Sequence, residues 1–503
     1  MWLFLRLSPS RKLPDSACPR VWSAFFPSRK RNPRPRTPTS ICFSTKKRKT
    51  SPEQKRYTGL VQPKRYRLSV LTFGARGGLQ YHPDAVLSIG EGGRIDELRP
   101  VRGGAAARLR HSRDTKGVRD LRGFLAIPGL IDAHCHLPQY PAVAADGLEL
   151  LPWLEKHIFP LEAAFRGERV RRLARRFFED MTSHGTTTAA VYTSIWKQST
   201  DVCFDEALKA GVRVIMGKVM MDRGSYDKKF ALTQSGKSRT ELSLEESEEL
   251  CRKWHGRGEG RLQYAFTPRF ALSCSEKLMR ESAALAERYG AYLQTHLAEN
   301  RQEVREVKRV FPKARNYTDV YLRAGMLGPK TILAHSIWLS EIEMRMLQSS
   351  GAAVAHCPTS NAFLGSGIMN VARMRLGGIP LALGSDVAAG PSLCMFETMR
   401  QAVYLQRVAA AHRLFRRPAE PDPSKAFFMA TLGGARALGL ADKIGSLENG
   451  KEADFVVVDP SVYDTGALGP DDAETIVARL VHRASRHAVK AAFVSGKLVG
   501  GRL

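Results

Sequence analysis

The sequence predicts an α/β fold: a (β/α)8 TIM-like barrel over residues 126–440, beside a small β-sandwich domain assembled from residues 66–125 and 441–503. Two patterns carry this. Between 126 and 440, apolar strand-like runs alternate with amphipathic helical stretches, the signature of parallel strands joined by crossover helices. About eight such units in roughly 310 residues favour a closed barrel over an open, doubly wound sheet. At both ends, strand-like runs are separated by glycine-bearing turns instead, so the termini are expected to pair with each other. The composition, 43% hydrophobic and 25% charged, is that of an ordinary soluble globular chain.

Residues 1–65 hold 17 Lys or Arg against only Asp15 and Glu53, together with nine of the 27 prolines. They have little apolar periodicity and cannot bury enough surface to offset chain entropy, so disorder is expected there. Residues 1–7 are too short and interrupted for a signal-peptide core or a membrane span. The segment reads as a dispensable tail or a start codon placed too early, as an Arg-rich organelle presequence, or as a tether for nucleic acid or another acidic surface. It also carries about half of the net charge of +29. A nucleic-acid partner is therefore not expected for the folded body.

Order begins near Tyr66, with strands expected over 67–73 and 85–89. The apolar run 123–132 reads as one buried strand leading directly into His134. Further strands are expected over 186–191, 212–216, 291–295, 331–334, 352–355 and 380–383, with helices over 243–254, 276–289 and 340–349. The Arg-rich helix 166–176 reads as a solvated barrel face. After 440, residues 445–459 form a turn and a strand, and 492–499 a hairpin. Eight scattered cysteines without a CxxC pair indicate reduced thiols and a cytoplasmic setting rather than a disulfide framework. Nothing suggests a membrane partner.

The chemistry begins at His134-Cys135-His136. On a strand, residues i and i+2 point the same way, so both imidazoles would reach toward one point. Alone this is weak evidence. His296, His335 and Asp386, however, each follow an expected barrel strand, and the carboxyl ends of barrel strands line the mouth where active sites sit. Several N and O ligands with an open position describe a catalytic metal site rather than a closed structural one. Glu299, three residues past His296, is placed for general acid–base work; without those neighbours it would read as a solvated glutamate favoured at a helix start.

These residues, with Pro128-Gly129 before the His pair, resemble the amidohydrolase superfamily. The stretches 138–140, 267–270, 296–300, 303–304, 316–318 and 356–361 resemble, within it, the guanine deaminase family. The resemblance covers roughly residues 66–500. It implies one zinc ion per subunit held by His134, His136, His296 and Asp386, with His335 beside the metal-bound water and Glu299 as proton shuttle. Gln139, Arg269 and Phe270 would hold the purine, in contact with His296, Glu299 and Asp386. It further implies a homodimer and hydrolytic deamination of guanine to xanthine and ammonia. Arg269 suits a carbonyl oxygen, and adenine would confront it with an amine; spacing alone admits a salt-bridged barrel arginine equally. The loop 384–389 departs from the family's Gly-Thr-Asp-like pattern by small substitutions that remove no needed group. The alternatives are a sister activity on 8-oxoguanine, an adenosine-type or triazine amine or a cyclic amide; a metal-free scaffold, which would require a lost ligand; and a nucleic-acid binder. His184 and His356 read as packing near the site. His157, His255, His412, His482 and His487 have no constellation, and Trp153, Phe159 and Trp196 read as core or pocket wall.

Overall fold

The computed structural model describes residues 65–101, 117–224, 237–415, 420–464, 466 and 472–503. The readings offered for residues 1–65 lie outside these, but for Arg65. Four strands come first: β1 (Arg65–Phe73), β2 (Leu79–Ile89), β3 (Ile95–Pro100) and β4 (Val118–Pro128). The barrel strands follow, from β5 (Leu130–His136), β6 (Thr186–Tyr192), β7 (Arg213–Gly217), the short β8 (Val219–Met220) and β9 (Leu262–Pro268) to β10 (Tyr292–Leu297), β11 (Thr331–His335), β12 (Ala353–His356) and β13 (Leu381–Leu383). The last three are β14 (Phe455–Val458), β15 (Val489–Val494) and β16 (Lys497–Gly501).

The terminal strands pair with each other, in one seven-stranded sheet of order β16-β15-β14-β4-β1-β2-β3. Only β1 and β4 run parallel in it. The sheet curls around its own core. Tyr66 of β1 packs on Phe455 and Phe493 with ring centres 5.9 and 5.8 Å apart, and Ile95 exchanges backbone hydrogen bonds with Gly450 and Lys451 ahead of β14.

Eight parallel strands follow the order β5-β6-β7-β9-β10-β11-β12-β13, with β8 paired to β9 outside that path. Asp386 N donates to His134 O at 2.8 Å and His136 N donates to Val387 O at 3.0 Å, joining the chain past β13 back to β5. Ile131, Ala133, Ala190, Ile215, Ala265 and Ile332 fill the interior, a packed core rather than a pore. The helix Glu276–Tyr289 has the bounds its sequence predicts, for local reasons. Ser275 accepts from Leu278 N at its start, and Gly290, at φ 58°, ends it. The arginine-rich helix is Arg169–Ser183; its arginines are exposed while Val170, Ala174, Phe177, Phe178 and Met181 are buried. Among the described residues no helix is long and apolar enough to cross a membrane.

One expected element is two. The run 123–132 is divided at Gly129, where the chain passes from the terminal sheet into the barrel. Proline at 128 has no N–H to continue a ladder. Gly129 crosses so close to β6 that a Cβ there would lie 2.1 Å from Thr187 Oγ1.

Candidate active site

His134 and His136 do project together from β5, but the face they take is not the one simple alternation gives. Ile131 and Ala133 already face the barrel interior, which would put His134 outside. A bulge resolves this. From Asp132 to Cys135 β5 advances three residues, while its partner β6 advances two, from Ala189 to Val191. The extra residue turns both imidazoles inward. Asp132 fixes the bulge by accepting from His134 N at 3.2 Å, Ser385 N at 2.9 Å and the Ser385 hydroxyl. His296 needs no such device, being in phase with the inward Tyr292. His335 ends β11 and Asp386 follows β13, at φ 68° and 48°, a left-handed state that non-glycine residues hold where the surroundings impose it.

The four donors converge. His136 Nε2 stands 3.2 Å from Nε2 of both His134 and His296. Asp386 Oδ1 lies 3.2 Å from His134 Nε2 and 3.4 Å from His136 Nε2. One ring proton cannot serve contacts on two sides, so hydrogen bonds among the rings do not account for the cluster. Two ligand atoms each about 2.05 Å from a tetrahedral ion lie roughly 3.3 Å apart, and that is the spacing present. The residues therefore fit a metal ion of zinc type, and His134, His335 and Asp386 make an overlapping cluster. Burial, then the neighbouring imidazoles, holds His136 and His296 well below the ordinary imidazole range, leaving the neutral rings a ligand must be. His296 Nδ1–H donates to Arg269 O at 2.7 Å, which aims Nε2 at the cluster.

Glu299 is buried beside His335, its Oε2 3.4 Å from Nε2. It is held from behind by Glu303, which accepts from the N–H groups of Glu299 and Asn300 at 2.9 and 3.2 Å and from the Tyr317 hydroxyl at 2.7 Å. The same Glu303 completes the capping box of helix Arg301–Val310. The Ser366 hydroxyl donates to Glu299 Oε1 at 2.9 Å. Burial pushes Glu299 up to about 7, against the pull of His335. Burial raises Asp386 too, but His134, His335 and the Ser360 hydroxyl at 2.5 Å outweigh it and leave about 2. One carboxyl is thus poised to carry a proton near neutrality while its neighbour stays ionised, the division an acid and a ligand require. His335 is raised despite burial, by Glu299 and Asp386, and its Nδ1–H donates to Asn361 Oδ1 at 2.9 Å.

His136, His296, Glu299, His335 and Asp386 open into one cavity, together with Gln139, Arg269 and Phe270; a few convergent polar groups against an apolar wall are what a small-molecule site requires. His134 lies fully buried beneath it. Leu150, Trp153, Leu154, Leu364 and Ala389 supply apolar wall, and Glu303 also reaches the lining. His184, His356 and Trp196 do not line it. Sequence reading gave no role to Glu162, which is fully buried and accepts from both Gln139 and Arg269. Its only signal was a charged residue inside an apolar helical stretch. Ser366 gave no signal at all, since a serine in a glycine-bearing loop is unremarkable.

Fold and donor set define the class: a barrel hydrolase with the donors for a metal ion gathered at the carboxyl ends of its strands. The chain belongs to the amidohydrolase family, whose model matches residues 125–499. It is 37% identical to a guanine deaminase of Escherichia coli (strain K12), over 77% of this chain and 85% of that one. It is 35% identical to the guanine deaminase of Mus musculus, over 74% and 82%. Its fold matches a crystal structure of guanine deaminase from C. acetobutylicum with bound guanine in the active site, with TM-score 0.76, 28% identity, and coverage of 86% of this chain and 99% of the other.

Proposed function

We propose that this chain hydrolyses guanine to xanthine and ammonia, as one step of purine breakdown. The observation that carries the reading is a single cavity in which the metal-type donors, a protonatable Glu299 and the Gln139–Arg269 pair all meet, in a chain 37% identical to a guanine deaminase. Bound by His134, His136, His296 and Asp386, a zinc ion supplies Lewis acidity and lowers the pKa of water to about 7. Glu299 donates its proton to the ring nitrogen beside carbon 2 and makes that carbon electrophilic. Asp386 accepts the proton of the water that adds there. His335 donates from Nε2 to the oxygen of the tetrahedral carbon. The proton taken up by Asp386 passes through the now ionised Glu299 to the exocyclic amine, the carbon–nitrogen bond breaks and ammonia leaves. The hydroxyl proton of the tetrahedral carbon returns to Glu299 as the carbonyl forms. Arg269 donates to the carbonyl oxygen of the base, and Phe270 forms part of the wall.

The six described cysteines are buried and unpaired, which supports a reducing compartment, the cytosol. The family resemblance supports a homodimer, and light scattering tests it. The activity is tested with purified, zinc-loaded protein over guanine, 8-oxoguanine, adenine, cytosine and triazine amines. Ammonia and xanthine form from guanine, and Glu299→Gln lowers kcat about 10²–10⁴-fold while retaining metal. Release from another amine but not from guanine assigns the site to a sister activity.

A further inference from the structure

We propose that Glu162 is a positioning residue that sets the hydrogen-bonding polarity of the substrate pocket, fixing an acceptor beside a donor and so selecting a ring N–H next to a carbonyl. The proposal rests on the guanine reading above and deepens it. Glu162 does not line the cavity and touches no substrate; it acts through Gln139 and Arg269, which do line it.

The two oxygens of one carboxylate hold these side chains next to each other. Glu162 Oε1 accepts from Gln139 Nε2 at 2.8 Å, and Oε2 accepts from Arg269 Nη1. An ionised carboxylate can only accept. The amide of Gln139 must therefore give Glu162 its nitrogen and turn its carbonyl oxygen away. A glutamine amide has two nearly isosteric orientations of opposite polarity, and Glu162 removes one of them. Arg269 is a donor in every state; it is also held over the Phe159 ring, 5.2 Å from the centroid. The pocket thus presents a fixed acceptor and a fixed donor side by side.

A cyclic lactam edge, ring N–H beside carbonyl, meets this pair correctly. An amino-substituted ring edge, bare nitrogen beside amine, opposes acceptor to acceptor and donor to donor. Mispaired buried polar groups are a strong source of discrimination. The device is built into the wall it serves. Leu150, Trp153 and Leu154 of the same helical segment face the cavity, and a π-turn over Leu154–Ile158 precedes Phe159 and Glu162.

The test compares guanine with 2,6-diaminopurine, which keeps the amine at carbon 2 and replaces the carbonyl by an amine. In Glu162→Gln, the ratio of kcat/KM for guanine over 2,6-diaminopurine falls about tenfold or more. The loss for guanine lies mainly in KM, and metal content matches the unaltered protein at a temperature where the variant is folded, although loss of the buried ion pair lowers its thermal midpoint. In a Gln139→Leu background, Glu162→Gln changes the ratio by a smaller factor, because one of its two targets is gone. A ratio within about threefold of the unaltered protein overturns the proposal. Should Glu162→Gln not fold, Gln139→Leu alone carries the same expected fall, and an unchanged ratio overturns it equally. An unaltered protein that releases no ammonia from guanine fails the functional reading instead, and is told apart by that first measurement.

Discussion

Glu299, Asp386 and His356 are all buried within the barrel, and burial acts on each with a different result. Asp386 has enough positive and hydroxyl partners to remain ionised; Glu299 has fewer and is poised near 7. His356 has none: both ring nitrogens are without partners, and burial lowers it to about 3. An unfolded histidine titrates near 6.5, so the unfolded chain takes up a proton that the folded chain refuses. This contribution to stability is fully present above pH 6.5 and is lost as pH falls toward 3. Between pH 7 and 5 it amounts to about 2 kcal/mol. His356→Leu, which loses no hydrogen bond, should therefore lose about 2 kcal/mol less than the unaltered protein across that interval, read by urea denaturation at the two pH values. Equal losses would show that His356 is protonated in the fold. The residues at strand ends were legible in the sequence because ligand types stand out after apolar runs. Glu162 and Ser366 were not, since their significance lies in what the fold brings opposite them.

Strand β5 shows what a single element contributes. The chain enters it from β4 of the terminal sheet, and Gly129 just before it and the bulge at Asp132 within it make the two changes of direction. Gly129→Ala drives a methyl group into Thr187, whose hydroxyl is buried without a partner. Overpacking of this kind costs about 1–3 kcal/mol. Thr187→Ala removes both clashing atoms, so the double variant should recover most of that loss in chemical denaturation. A double variant no more stable than Gly129→Ala would mean that the strain lies elsewhere in the crossing. The period-2 pattern predicted that His134 and His136 share a face, and they do. It could not predict which face, because one inserted residue reverses the answer while leaving the local sequence ordinary.

On the scale of the molecule, the barrel and the terminal sheet are tied by Arg213 at the start of β7. It is buried and pairs with Glu452 at 2.6 Å and Asp454 at 3.2 Å, just ahead of β14. Asp454 also accepts from Ser495 N at 2.8 Å. This lies at the amino end of the barrel strand, the face associated with stability rather than catalysis. Arg213→Met leaves the buried Asp454 and the partly buried Glu452 without their cation and should cost about 3–5 kcal/mol. The loss should appear as a lower denaturation midpoint, with kcat for guanine unchanged at temperatures where the variant is folded. A fall in kcat with an unchanged midpoint would place Arg213 in the site's own support instead.

The sequence by itself determined the strand–helix alternation, the barrel, the joining of the two chain ends, and the gathering of His134, His136, His296, His335 and Asp386 at one mouth. Each of these follows from hydrophobic period and from residue type at strand ends, which are local properties. Tertiary structure alone decided the division of the 123–132 run at Gly129, the face of β5 that carries its imidazoles, the left-handed turns at His335 and Asp386, and the place of Glu162 behind Gln139 and Arg269. These depend on distances between residues far apart in the chain, such as Gly129 to Thr187 or Asp132 to Ser385, and a periodic pattern holds no information about such approaches.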